Sequence, residues 1–540
     1  VPVDPPPTAD PTAPARVGPA PGDPEPVATA GPAGGPPLLI SRAAGPRRRP
    51  ASRPNVLVIC VDQWRGDALS AAGHPVVKTP HLDELAGQGT RFSRAYSATP
   101  TCVPARVAMF TGQSQERHGR TGYRDGVPFH LAHPVTMQST LREAGYQTQA
   151  VGKMHVYPER SRCGFDDVRL HDGFLHFGRR YGGRHLEAHD DYLRWLRRQP
   201  EVGAGGDYFD DGVGCNSMVA IPWNRPEHLH PTNWVVQETL DFLDRRDPTA
   251  PFFAWVSFHR PHAPFNPPQW AFDQYWHGPR VQPPVGDWIG EFEEFRRDGY
   301  HQTVMGRLDP ESHHRAMSGY YGNISHIDLQ INRLMEGLAD HELFEETSIV
   351  FVSDHGEMMG DHDMYRKSVG YEGSAHVPFV VRPAPAFFPD VPRGQVVDDV
   401  TELRDLMPTV LEMAGVEVPA TVDGRSLLPH VRGERPGWRS EIHGEHTHFE
   451  QSLQWVTDGR RKYLWASARG VEQFFDLETD PHELHDLSTD PSRAAEVADW
   501  RARLVGYLEG REEGFVADGE LVTGRPVRTE ASWVSELAVR

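Results

Sequence analysis

Asn55-Val56-Leu57-Val58-Ile59-Cys60-Val61-Asp62 is the stretch on which the fold turns. Its six central residues are apolar and mostly β-branched, so a strand made of them has no polar face. Such a strand is buried on both sides, the position of a central strand in a parallel sheet covered by helices. Asp62 ends the run with a charge. The same punctuation recurs along the chain. Thr148–Val151 gives way to Gly152-Lys153-Met154-His155, Phe252–Phe258 to His259-Arg260-Pro261-His262, and Ser348–Val352 to Ser353-Asp354-His355-Gly356. Chemically capable side chains thus follow several predicted strands. In open α/β sheets, the carboxyl edge of the strands is where ligands bind.

Helical signals lie between the strands. Thr79-Pro80 reads as a cap and first-turn proline, followed by Leu82, Leu85 and Ala86 and stopped at Gly89. Ile324, Ile327, Ile331, Leu334 and Leu338 mark an amphipathic helix, and 403–413 reads as another. The alternation predicts an α/β fold: a large mixed, mostly parallel sheet sandwiched by helices. After about Pro429 the character changes. Gln454–Ala466 and Val471–Asp476 read as a strand pair joined near Arg469-Gly470, with a helix over 492–508. A smaller C-terminal α+β unit is therefore expected over 429–540, after a catalytic domain over 54–428.

Residues 1–53 are expected to be a disordered tail. Fifteen of the first fifty residues are Pro, and such a chain buries too little apolar surface to offset its conformational entropy. The stretch lacks a charged start followed by a long apolar run, so a cytoplasmic location is expected. Arg47-Arg48-Arg49 reads as a basic linker, because the apolar run after it is only strand-length.

The 540 residues carry 55 Lys+Arg against 75 Asp+Glu, a net charge of −20. That excludes an overall basic footprint for nucleic acid. No apolar stretch reaches the ~20 residues of a membrane-spanning helix. The four cysteines make neither a disulfide framework nor a CxxC metal site.

Cys102-Val103-Pro104-Ala105-Arg106, with Thr111-Gly112-Gln113 after it, is the centre of the chemistry. Pro104 fits the first turn of a helix to about Phe110, with Cys102 at its N-terminus, where unpaired N–H groups favour an anion. A buried small hydrophobe is the other reading of Cys102.

Cys-x-Pro-x-Arg followed by Thr-Gly resembles the signature of the type I, formylglycine-dependent sulfatases of the alkaline phosphatase superfamily. The resemblance continues through Lys78-Thr79-Pro80-His81-Leu82-Asp83, Gly152-Lys153-Met154-His155, Pro261-His262-Ala263-Pro264 and Asp354-His355-Gly356-Glu357. It ends with Phe475-Asp476-Leu477-Glu478-Thr479-Asp480-Pro481-His482-Glu483-Leu484, and covers about 55–508.

The resemblance implies an alkaline-phosphatase-like fold and hydrolysis of a small sulfate ester, as by an arylsulfatase. It implies that Cys102 is oxidised to Cα-formylglycine by a formylglycine-generating enzyme. Asp62, Gln63, Asp354 and His355 would hold one divalent metal ion together with the oxygen at position 102. Ca2+ is placed first for the carboxylate oxygens, with Mn2+ or Mg2+ second, since the imidazole of His355 moves preference from Ca2+ towards Mn2+. Arg106, Lys153 and Lys367 would neutralise charge on the reacting group. His262 would protonate the leaving alcohol and His155 would assist the hydroxyl or the expulsion of sulfate.

A phosphonate monoester or phosphodiester hydrolase of the same superfamily is the nearest alternative. The lysine and histidine of Gly152-Lys153-Met154-His155 argue against it, since those relatives carry uncharged residues there. A non-catalytic sulfated-glycan-binding protein is a further alternative. His259 is read as a support residue or specificity contact, and Asp361-His362-Asp363 as a polar loop. His443, His446 and His448 are candidates for the substrate mouth. The identity of the alcohol, set by loops such as 165–233, and the oligomeric state are not legible in the residues.

Overall fold

The computed structural model describes residues 52–538 apart from 124–125, 174–185, 436 and 449. The expected tail over 1–53 lies, but for its last two residues, outside the described residues.

The main sheet has eight strands in the order Asp167–Leu170, Gln147–Gly152, Phe252–Pro261, Asn55–Asp62, Thr347–Ser353, Phe379–Arg382, Thr90–Phe92, Gln395–Val397. Asn55–Asp62 sits inside it, paired in parallel with Phe252–Pro261 and Thr347–Ser353. Only Phe379–Arg382 runs against its neighbours. The sheet is therefore mixed but mostly parallel, as the buried apolar runs require.

Alternation along Asn55–Asp62 assigns its two faces. Leu57, Ile59 and Val61 pack with helices Pro80–Gly87, Pro231–Arg245 and Pro310–Asp340. Val56, Val58 and Cys60 pack with Cys102–Thr111, Met137–Glu143 and Leu406–Met413 on the other side. One continuous apolar strand thus serves two cores.

Local signals explain most helix ends. Asp309 caps the longest helix by accepting from Glu311 N and Ser312 N. Gly112, at φ 65°, stops the Cys102 helix. Thr79 does not cap with its side chain. Its hydroxyl instead accepts from Ser70 N at 3.0 Å, tying the turn before the helix.

The C-terminal sheet has four antiparallel strands rather than an isolated pair: Ile442–His448, Gln451–Thr457, Arg461–Ala466 and Val471–Asp476. The expected single run 454–466 is broken by Asp458-Gly459-Arg460, where the Asp458 carboxylate accepts from the Arg460 and Arg461 amides. Val456, Tyr463, Trp465 and Phe474 meet the helix Ala494–Leu508. Trp455, Leu464 and Phe475 face Tyr96, Trp288 and Tyr371 of the larger unit. The outer edge of Ile442–His448 is not bare. Glu445 N donates to Ala98 O at 2.8 Å and Thr447 N to Thr121 O at 2.7 Å.

His443 on this edge strand pairs with Glu116 at 2.5 Å. Burial acts to lower the His443 pKa, but Glu116 outweighs it and raises it. Such a charge stabilises the fold fully below the unfolded value of about 6.5 and is lost as pH rises through the folded value. His443→Gln should therefore lower the thermal midpoint more at pH 6 than at pH 9. Equal losses would show that the pair carries no charge.

Gly152 closes the strand Gln147–Gly152 at φ +91°, and a Cβ there would lie 1.9 Å from Ser257 O. Gly152→Ala should cost at least about 2 kcal/mol, read as a lower thermal midpoint.

Candidate active site

The carboxyl ends of four parallel strands converge. Asp62 closes Asn55–Asp62, Lys153 follows Gln147–Gly152, His262 follows Phe252–Pro261, and Asp354 and His355 follow Thr347–Ser353. Cys102 enters from the helix Cys102–Thr111, at its first residue. Its Sγ lies 3.2 Å from His355 Nε2 and 3.6 Å from Asp62 Oδ1. Asp62, Cys102, Lys153, His155, His262, Asp354 and His355 are all buried.

The two carboxylates are each divided between two tasks. Asp62 Oδ2 pairs with Lys153 Nζ, while its Oδ1 faces Cys102 and His355. Asp354 Oδ2 accepts from Arg106 Nε at 2.9 Å, while its Oδ1 lies 3.6 Å from His355 Nε2. His355 Nδ1 is 2.9 Å from Gly356 O. That bond keeps the proton on Nδ1 and turns Nε2 inward.

Ligand atoms of Asp62, Cys102, Asp354 and His355 all lie within 4.8 Å of one another. Two inward carboxylate oxygens and an imidazole nitrogen, with their outer atoms already satisfied, fit a divalent cation. The same anionic field raises His355 to about 9, with Asp354 the largest contribution against burial.

Gln63 stands beside this cluster with φ 70°, a left-handed conformation uncommon for a side chain of its size. Its amide N–H donates to Asp354 Oδ1 at 3.2 Å. Its Oε1 accepts from Lys367 Nζ at 2.5 Å, and its Nε2 donates to Glu357. Gln63 thus holds Lys367 next to the carboxylates.

Charge balance is visible in the titrating groups. Burial would raise Asp62, but Lys153, His262, His355 and Lys367 hold it well below the usual carboxylate range. Burial and Asp62 act to raise the Cys102 thiol, and Lys153, Lys367 and His355 outweigh them and lower it. Burial would lower Lys153, but Asp62 and Cys102 keep it raised and protonated. The Arg106 guanidinium is bonded through Nε to Asp354 and through Nη1 to Lys153 O and Ser257 Oγ, while its buried Nη2 has no hydrogen-bond partner among the described residues.

The histidines differ in their settings. His262 Nδ1 donates to Ala263 O at 2.8 Å, so a transferable proton belongs to Nε2. Burial, Lys367 and Lys153 push its pKa well below the ordinary value, and Asp62 opposes them. His155 receives its position from Asp172, whose Oδ1 accepts from the Met154 and His155 amides. Its Nε2 lies 3.2 Å from the Tyr123 hydroxyl. His259 Nδ1 accepts from Arg260 at 2.7 Å, a support arrangement. Asp361, His362 and Asp363 form a polar loop. Arg65 takes Asp361, Arg307 takes Asp363, and His362 Nδ1 accepts from Gly286 N. His443 points away to Glu116, whereas His446 lies within the field of His355 and Lys367.

Glu357, Asp172, Tyr123 and Ser257 complete the site and were not singled out from the residues. Asp172 had a usable signal, since it follows the strand Asp167–Leu170 as Asp62 follows its own. The others act across the sheet, where no local pattern points.

A parallel-sheet fold with a buried nucleophile position, paired cations and a metal-binding set at the strand ends defines a hydrolytic α/β enzyme. Comparison with known proteins narrows the class. The sulfatase family model matches residues 54–416, and that of the N-sulphoglucosamine sulphohydrolase C-terminal region matches 360–509. An arylsulfatase of Clostridium perfringens is 45% identical over 480 residues, covering 88% of this chain and 99% of its own. A multifunctional alkaline phosphatase superfamily protein of Trinickia caryophylli is 29% identical over 503 residues, covering 84% and 95%. The crystal structure of the phosphonate monoester hydrolase of Agrobacterium radiobacter superposes with a TM-score of 0.70 at 27% identity, over 84% of this chain and 95% of that one. The chain belongs to the sulfatase family.

Glu357 accepts from Gln63 Nε2 and from the Met359 and Arg366 amides. Glu357→Gln would set amide against amide and turn the Gln63 donor group towards Lys367. Loss of a charged hydrogen bond is worth about 1.5–3 kcal/mol. Turnover of p-nitrophenyl sulfate should fall by about ten-fold or more, and unchanged kcat would remove Glu357 from the positioning of Lys367.

Proposed function

We propose that the protein hydrolyses a sulfate monoester to an alcohol and inorganic sulfate, with residue 102 acting as a formylglycine made from Cys102. One observation carries the reading. The Cys102 side chain is buried at a helix N-terminus, 3.6 Å from Asp62 Oδ1 and 3.2 Å from His355 Nε2, within the fields of Lys153 and Lys367. That is a nucleophile position set among charges of both signs, suited to an anionic ester.

A hydrated formylglycine supplies two hydroxyls on one carbon, one to attack sulfur and one to expel sulfate as the aldehyde re-forms. A divalent ion held by Asp62, Asp354 and His355, with Gln63 beside them bonded to Lys367 and Glu357, would supply Lewis-acid polarisation and a lowered hydroxyl pKa. Ca2+ is proposed first, with Mn2+ or Mg2+ as alternatives.

The chain's own residues do the rest. Lys153 and Lys367 bind the sulfate oxygens and offset the charge that grows on them. Arg106 holds Asp354 in place through Nε. His262 gives the Nε2 proton to the departing alcohol oxygen. An incoming anion offsets Lys367 and Lys153, which otherwise depress the His262 pKa. His155, steadied by Asp172 and Tyr123, takes the proton from the hydroxyl that expels sulfate.

The likeness to a phosphonate monoester hydrolase motivates the second reading, hydrolysis of a phosphonate monoester or phosphodiester. The buried Lys153, paired with Asp62, supports the sulfate reading because the phosphonate and phosphodiester relatives carry an uncharged residue at its place.

Mass spectrometry of the Cys102 peptide, from a host holding the converting enzyme, should show the formylglycine. An unmodified thiol would sink that part. kcat/KM for p-nitrophenyl sulfate should exceed that for bis-p-nitrophenyl phosphate and phenyl phosphonates, and the reverse order would overturn the sulfatase reading. Chelation should abolish turnover, with Ca2+ restoring it better than Mn2+ or Mg2+.

A further inference from the structure

Residues after 509 lie beyond both matched family regions, yet they return to the catalytic unit. Thr529 O accepts from the Thr121 and Gly122 amides, at 3.0 Å each, and Arg528 O accepts from Thr121 Oγ1 at 2.7 Å. Ala531 N donates to Gly119 O at 2.8 Å. The stretch 119–122 also pairs with the edge strand of the C-terminal sheet, Thr447 N donating to Thr121 O. It therefore lies between two partners, as a middle strand does. The fit is close. A Cβ on Gly122 would lie 2.4 Å from Thr447 O and 3.1 Å from Thr529 Cγ2, and one on Gly119 would lie 2.8 Å from Val534 Cγ2.

A buried ion pair fixes the register. Arg120 Nη1 lies 3.4 Å from Glu530 Oε2, with the two side chains 3% and 1% exposed. Ser535 Oγ donates to the other Glu530 oxygen at 2.7 Å. Separating such a pair leaves a charge buried without its partner, so the segment cannot slide along 119–122 without a large cost.

The stretch leads into the active site. Tyr123 follows Gly122, and its hydroxyl is 3.2 Å from His155 Nε2. Arg120 and His155 line one cavity together with Val103 and Arg106 of the Cys102 helix. Asp172 fixes the His155 backbone by accepting from the Met154 and His155 amides. The orientation of the ring and the placing of its proton depend on what bonds its nitrogens.

We propose that Glu530 is a positioning residue of the active site, and that the segment 528–531 acts by holding Tyr123 against His155. The proposal rests on the role given to His155 in expelling sulfate. Without the Tyr123 hydroxyl the imidazole loses its orientation, and the second half of the reaction slows. The first half, in which the alcohol leaves, does not.

p-Nitrophenol is a good leaving group, so its departure is fast and sulfate expulsion limits turnover of p-nitrophenyl sulfate. In the formylglycine-bearing enzyme, Tyr123→Phe and Glu530→Gln should each lower kcat by about three- to ten-fold, the worth of one hydrogen bond. KM should fall in step, leaving kcat/KM unchanged. A burst of p-nitrophenol should precede the slower steady state. The double variant should be no slower than Tyr123→Phe alone, since both changes act through one contact. Thr121→Val, which removes only the bond to Arg528 O, should show a smaller fall of the same kind, and it carries the test if Glu530→Gln does not fold. Losses that multiply in the double variant, or a Glu530→Gln that lowers the thermal midpoint with kcat unchanged, would make the segment a stabiliser only and overturn the proposal. Losses that do not multiply but lower kcat/KM would uphold the proposal and overturn the role given to His155 instead. Turnover of bis-p-nitrophenyl phosphate but not of p-nitrophenyl sulfate by the wild type would overturn the sulfatase reading, and this proposal with it.

Discussion

Two carboxylates held out of water at the end of a parallel sheet set the terms for everything around them. Asp62 and Asp354 are fully buried, and an isolated buried charge is prohibitively costly. Each is therefore answered by a fixed cation on its outer oxygen, Lys153 for one and Arg106 for the other. The inner oxygens are left facing His355 and Cys102. Compensation on one side and demand on the other is what makes the cluster a cation site.

The surrounding fold serves to keep that arrangement rigid. Gly152 allows the backbone to approach Ser257 O closely, and Lys153 N then bonds the same carbonyl. Arg106 gathers Asp354 and Lys153 O from two strand ends and Ser257 from within a third strand. Gln63 links Asp354, Glu357 and Lys367. No member can move without leaving another buried polar group unpaired, which is the cost that holds a preorganised site in place. The C-terminal sheet is tied to the segments on either side of the Cys102 helix through Ala98 and Thr121.

Much of this was legible because buried parallel strands write themselves plainly. Asn55–Asp62 and Thr347–Ser353 are apolar runs ended by charge, and both appear within a residue of the expected bounds. The Cys102 helix was readable from Pro104 and Gly112. The C-terminal unit was less so. Its strands are half polar, and the break at Asp458–Arg460 rests on one carboxylate bonding two amides. Glu357 and Tyr123 carry no periodicity or cap signal that would separate them from surface residues.

The local hydrophobic pattern of the residues, by itself, determined the α/β class and the central strand. The nucleophile position and the set of charged partners came from the resemblance of the motifs to the sulfatase signature. The tertiary structure alone decided which atom of each partner faces inward, that Arg106 ties Asp354 to Lys153 O and Ser257, and that His443 pairs with Glu116. These are questions of orientation between segments hundreds of residues apart. Burial energies and hydrogen-bond satisfaction in three dimensions answer them, and neither is written in a neighbouring residue.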